Sequence, residues 1–108
     1  MILVNTDDIP HKNVVKSLGL VEGNTIRARN IGRDIVAMFK NLVGGEIEEY
    51  TKLLAQAREQ ALDRMAASAE ELGANAIIGV RFSTSYIMQN AAEVLVYGTA
   101  VVVEDKED

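Results

Sequence analysis

The sequence contains no cysteine and no tryptophan, and only one histidine and one proline. Without cysteine there are no disulfides, thiolate metal sites or cysteine nucleophiles, and the redox compartment is left open. With His11 as the lone imidazole, a serine triad has no choice of base, and no G-x-S-x-G elbow is present to expose a nucleophile. Long apolar runs are missing too. The start, MILVNTDD, has an apolar stretch of four residues and no basic n-region, so it reads as neither a signal peptide nor a membrane span. Dense basic clusters are also lacking, and the net charge is -5. Such a surface repels phosphate backbones and anionic lipid, so neither nucleic acid nor membrane is expected as a partner, and the expected location is the cytoplasm.

What is present is globular composition: 48% apolar and 25% charged residues over 108 positions. That length fits a single domain, 1–108, burying roughly 65% of its unfolded surface. The acidic end, 104–108, reads as a frayed, solvated tail.

The chain opens with a short strand at Ile2–Val4, closed by the polar cluster Asn5, Thr6, Asp7 and Asp8. Pro10 suits a first helical turn, and Val14, Val15 and Leu18 share a helical face that Gly19 would end, which predicts a short helix. From Leu20 to Arg29 the β-branched residues Val21, Thr25 and Ile26 predict a strand, with a bulge or bend at Gly23-Asn24. Asn30 caps a predicted helix carrying Ile31, Ile35, Met38 and Leu42, which the pair Gly44-Gly45 breaks. A long helix follows over 46–72. Its apolar positions Ile47, Tyr50, Leu54, Ala57, Ala61, Met65, Ala69 and Leu72 alternate steps of three and four, and Gly73 supplies the stop. Six alanines between Ala55 and Ala69 thin one side of this helix, so a sheet or helix can approach its backbone closely.

The stretch 76–88 predicts a strand with Ile78, Val80, Phe82, Tyr86 and Met88 on one face and Gly79, Arg81, Ser83 and Ser85 on the other. Gln89-Asn90 suits a hairpin turn. The return strand, 92–103, is apolar on both faces: Val94, Val96, Ala100 and Val102 against Leu95, Tyr97, Val101 and Val103. These elements give an α+β fold of two layers in the order β-α-β-α-α-β-β. A three-stranded antiparallel sheet, with the short N-terminal strand beside it, has its helices packed on one face. One sheet face is then bare. Leu95, Tyr97, Val101 and Val103 form its apolar stripe, and identical copies of the chain, closed by rotational symmetry, are the simplest cover. The alternative is that the N-terminal strand or a helix folds over that face.

Several segments in this order resemble the YbjQ-type family, a group described as heavy-metal-binding. They are Asn30-Ile31-Gly32-Arg33-Asp34, Val43-Gly44-Gly45, Tyr50, Ala57-Arg58, Leu72-Gly73-Ala74-Asn75-Ala76-Ile77-Ile78-Gly79 and Gly98-Thr99-Ala100-Val101. The resemblance runs along nearly the whole chain. It implies a dodecin-like subunit fold and rings of identical chains, usually pentamers.

The residues themselves offer two candidate sites. Asp7, Asp8 and His11 lie close in sequence and could provide oxygen and nitrogen ligands to a metal ion, although a capped turn followed by a surface histidine explains them as well. Soft heavy metals want sulfur first, and Met38, Met65 and Met88 fall on apolar faces where methionine fills gaps. Arg27, Arg29 and Arg81 could share a sheet face, and Arg33 begins a helix whose amides favour anions, so together they could hold a phosphate or carboxylate. Pairing with acidic residues at a subunit interface, or with Asp34, is the simpler account of them.

No catalytic residue is assigned. Glu48-Glu49 and Glu70-Glu71 are adjacent on a helix and so point about 100° apart, which suits solvation and not shared proton transfer. Gly44-Gly45 lacks the spacing of a phosphate loop, and no cofactor is indicated. Tyr50 and Tyr97 read as core or interface anchors. The expectation is a non-enzymatic homo-oligomer that binds a small molecule or ion between subunits. A heavy-metal-binding module and an enzyme with a site shared between chains are the alternatives.

Overall fold

The computed structural model describes residues 1–28, 45–88 and 91–107. Along the chain these form β1 (Ile2–Leu3), β2 (Lys12–Ala28), α1 (Gly45–Glu71), β3 (Ala76–Met88) and β4 (Ala91–Asp105). The fold is α+β, with the strands in one sheet of order β1-β3-β4-β2. β1 runs parallel to β3, while β3 and β2 are both antiparallel to β4. The sheet is therefore mixed and four-stranded, where a three-stranded antiparallel sheet with an accessory strand was expected. The predicted helix at 31–42 and the Gln89-Asn90 turn lie outside the described residues.

The short helix expected before Gly19 is instead the first part of β2, which pairs with β4 from Lys12↔Asp105 to Ala28↔Ala91. Bulges at Val14/Lys16 and Ser17/Gly19 account for the misreading. Two extra residues within a few positions break the period-two alternation and leave Val14, Val15 and Leu18 at spacings that imitate a helix. Gly19 does take a positive φ, of 103°, but inside a strand and not at a helix end.

A further bulge resets β3. Gly79, at φ 63°, sits where two residues of β3 oppose one of β4, between the pairs Ile78↔Thr99 and Arg81↔Tyr97. The phase of the strand flips there. Ile77 thus joins Val80 in the core, while Ile78, expected on the same face as Val80 and Phe82, falls on the opposite one.

α1 begins at Gly45 and ends by donating the Gly73 N–H to Glu70 O (3.0 Å) and the Ala74 N–H to Ala69 O (3.0 Å), the Schellman pattern that satisfies the last carbonyls. Its buried stripe, Ala57, Ala61, Met65 and Ala69, packs on Val21, Ile77, Val80, Val94, Val96 and Ala100. Ala, rather than Leu, at three of these positions lets the helix sit almost on the sheet backbone. α1 lies mainly over β2 and β4 and scarcely touches β3.

The other sheet face has a smaller cluster, in which Ile9 and Ile78 pack on Ala76, Val101 and Val103. Val101 and Val103 were expected to be bare; they are 1% and 5% exposed, because the chain leading into β2 folds back over them. Leu95 is half-buried and Tyr97 is exposed, so only that half of the expected stripe remains open. Asn75 fastens this end of the sheet: its Nδ2 donates to Val103 O (2.9 Å) and its Oδ1 accepts from Val103 N (2.8 Å).

The result is long and thin, 61 × 23 × 16 Å, with a radius of gyration of 17.9 Å. A compact domain of this length would have about 13 Å.

Candidate functional site

β1 pairs with β3 only at Ala76 and Ile77. Beyond it, residues 4–6 continue along the edge of β3: Val80 N donates to Val4 O (3.0 Å) and Gly79 N to Thr6 O (2.9 Å). The Gly79 bulge turns Val80 toward α1, where Leu62 projects from the helix. A groove of about 610 Å³ opens between these elements. Its walls are Leu3 to Thr6 on one side, Leu62 on another, and Val80, Arg81 and Phe82 on the third. A volume of this order accommodates a small organic molecule, and an apolar lining with few polar groups is the usual character of such a site.

Arg81 supplies the cationic group. Its Nη1 donates to Asn5 O (2.6 Å) and Val80 O (3.0 Å). The guanidinium thus ties the N-terminal segment to β3 through main-chain carbonyls, with no carboxylate partner among the described residues. A guanidinium carries five N–H donors, so these two bonds leave capacity for an anionic group entering the groove.

The other expected basic residues do not gather around it. Arg27 pairs with Ala92 and so falls in the rows that face α1, whereas Arg81 pairs with Tyr97 in the opposite set. The expectation of a shared face fails because side chains alternate along strands whose registers are now fixed. Arg29 and Arg33 lie outside the described residues.

Asp7, Asp8 and His11 are all exposed. Thr6 Oγ1 donates to Asp8 O (2.6 Å), and His11, at φ 65°, accepts a bond from Lys106 N at its carbonyl (2.9 Å). These contacts build a turn into β2. Among the described residues no three His, Asp or Glu side chains are placed to hold a metal ion. No described helix is long and apolar enough to cross a membrane.

Sequence reasoning identified Arg81 but missed Leu3, Val4, Leu62 and Phe82 as its neighbours. The available signal was Gly79, since a glycine inside a strand marks a bulge or a close approach.

The profile of the YbjQ-type family, described as "Putative heavy-metal-binding", matches residues 1–104. The chain belongs to this family. UPF0145 proteins from Dehalococcoides mccartyi and Hahella chejuensis are 62% and 56% identical to it over 104 residues, covering 96% of this chain and 100% of each relative. A UPF0145 protein from Archaeoglobus fulgidus is 54% identical over 101 residues, 94% of either chain. A crystal structure of a protein of unknown function from Pediococcus pentosaceus, assigned to the DUF74 family, superposes with a TM-score of 0.67 at 17% identity, covering 96% of this chain and 98% of that one. At that identity it supports the fold alone.

The segment Leu72–Ala76, part of the resemblance to the YbjQ-type family, is explained by its geometry. Gly73 closes the helix, Ala74 and Ala76 are buried, and Asn75 clamps Val103. Each is a folding role. The family's metal description finds little chemical support in this YbjQ-type domain: a soft metal needs thiolates or clustered imidazoles, and the chain has no cysteine and one histidine.

Proposed function

We propose that this YbjQ-type domain is a subunit of a homo-oligomeric ring, of five copies by family resemblance, with no catalysis of its own. In this reading its groove holds a small, largely apolar ligand carrying one anionic group at the subunit boundary. The observation that carries the oligomer is the apolar surface one chain leaves in water. On the α1 side of β3, Phe82 is 46% and Tyr86 74% exposed, and on the other face Leu20 is 72% exposed. Apolar surface gains about 25 cal/mol per Å² when covered, and among the described residues α1 lies mainly over β2 and β4, leaving these β3 side chains open. Ligand chemistry is supported by Arg81 at the rim of an otherwise apolar groove.

Native mass spectrometry of protein purified without denaturation tests both parts. The expected result is a defined multiple of the 11.8 kDa chain that carries added mass released on unfolding. A single chain at micromolar concentration contradicts the assembly; an oligomer that neither carries nor takes up an apolar anion contradicts the ligand.

A further inference from the structure

Resting on the oligomer proposed above, we infer that the free edge of β3, residues 81–86, pairs in parallel with the free edge of β2 in a second copy of this chain, and that Phe82 and Tyr86 lie beneath the flank of that copy's α1. β1 shields β3 only at its start, so from residue 81 onward β3 has β4 on one side and, among the described residues, no strand on the other. β2 is the opposite edge of the sheet along its whole length. An unpaired edge is a template for another strand, and natural monomers blunt it with proline, bulges or inward charges. The stretch Phe82-Ser83-Thr84-Ser85-Tyr86 has none of these, and the next bulge of β3 comes only beyond it, between Tyr86 and Met88.

Three relationships select β2 of a second copy as the occupant. First, residues 81–86 of β3 and 22–27 of β2 pair with the same stretch of β4, from Tyr97 back to Ala92. The two free edges are therefore level, and since both run antiparallel to β4 they are parallel to each other. Rotation about an axis along the strands, without climb, brings one edge beside the other and closes a ring where a staggered pairing would give a filament. Second, α1 is displaced toward the β2 edge, and its Arg64 reaches across to donate to Asn24 O (2.6 Å). The β3 aromatics are bare on that same side of the sheet. One copy has a helix over its edge and the next has an edge without a helix. Third, both bulges of β2 fall in the rows of β4 residues Val103 to Ala100, level with the β1 pairing rows Ala76 and Ile77. Bulges bend a strand, and here they bend β2 where it must pass the β1 of its neighbour.

The chain has no native cysteine, so introduced thiols report the contact directly. Asn24 and Ser83 both pair with Leu95, on its two sides. Within one chain they are two strand spacings apart, about 10 Å, beyond the roughly 7 Å Cα reach of a disulfide. The full chain carrying Asn24→Cys and Ser83→Cys together is first sized by light scattering and then oxidised mildly. The expected result is a ladder of covalent multimers ending at the ring number, while each single variant stays uncrosslinked. The pair Ile26→Cys with Ser85→Cys, one turn of the pleat along, repeats the test should the first pair fail to fold. Crosslinked dimers from Ser83→Cys alone, which would show β3 pairing with β3, overturn the inference. So does an oligomer of unchanged mass in which neither double variant crosslinks; in both cases the oligomer itself stands. A monomer by light scattering for the unsubstituted chain overturns the oligomer as well.

Discussion

Gly23 of β2 lies against the main chain of α1: a methyl group on its Cα would stand 2.1 Å from Ala61 O and 2.6 Å from Met65 N. Both are backbone atoms of the helix stripe that packs on the sheet, so neither can swing aside. Replacing Gly23 with alanine must lift α1 from β2 or bend the strand, and overpacking of this kind costs about 3 kcal/mol. Urea unfolding of Gly23→Ala is expected to show a loss of that order, while Gly98→Ala, whose nearest contact is the Ile77 Cγ2 methyl at 2.7 Å, should lose less. Equal losses would mean that the helix does not press on β2 as described.

Asn75 satisfies both main-chain groups of Val103 with one side chain. Its truncation to alanine strands a donor and an acceptor beside buried Val101 and Val103, at about 1–3 kcal/mol. Asn75→Asp retains the acceptor for Val103 N but turns the donor into a second acceptor facing Val103 O, so it is expected to recover little of the loss. Thermal unfolding of the two variants side by side checks this.

Thr25 is 3% exposed, and its hydroxyl has no hydrogen-bond partner among the described residues. Thr25→Val keeps the shape and removes a desolvated polar atom, so it is expected to be neutral or to stabilise by about 1 kcal/mol. A clear destabilisation would show that the hydroxyl has a partner in the assembled protein.

His11 occupies a turn at φ 65° with its carbonyl committed to Lys106 N. Glycine accepts that conformation more readily, so His11→Gly is expected to be as stable as the parent, or more stable by about 0.5 kcal/mol. Calorimetric titration with zinc, copper and nickel is expected to give the same trace for parent and variant. Saturable heat that disappears with His11 would restore Asp7, Asp8 and His11 as metal ligands.

Arg81 both anchors residue 5 and offers charge to the groove. Arg81→Ala is expected to weaken binding of an apolar anion such as anilinonaphthalene sulfonate by about tenfold, the scale of one charge-assisted bond. Arg81→Lys should restore the charge without the forked geometry and recover only part of it. Unchanged probe fluorescence in both variants would remove Arg81 from any ligand site.

α1 was legible in the sequence because its three-and-four spacing is sustained over many turns and Gly73 ends it, and the six alanines announced the close approach that Gly23 completes. The antiparallel strands β3 and β4 were legible from the alternation over 76–88 and the apolar run over 92–103. The first half of β2 was not, since two bulges erase the alternation that identifies a strand. Nor was the phase of β3, where the single residue Gly79 moves Ile78 to the other face. The cover on Val101 and Val103 comes from Ile9, remote in sequence, and local periodicity carries no trace of it. For the same reason Arg81 could be named from sequence but its groove could not: the walls come from β1, α1 and β3, and only the tertiary fold brings them together.

The central claim is that the apolar strip on the α1 side of β3 is covered by another copy of the chain. Light scattering coupled to size exclusion tests it most directly, on the parent and on Tyr86→Glu, whose parent side chain is 74% exposed and outside the core formed by the described residues. The account predicts one species at a fixed multiple of 11.8 kDa for the parent and a shift toward the single chain for the variant. A parent that is folded, monodisperse and 11.8 kDa across micromolar concentrations would contradict it.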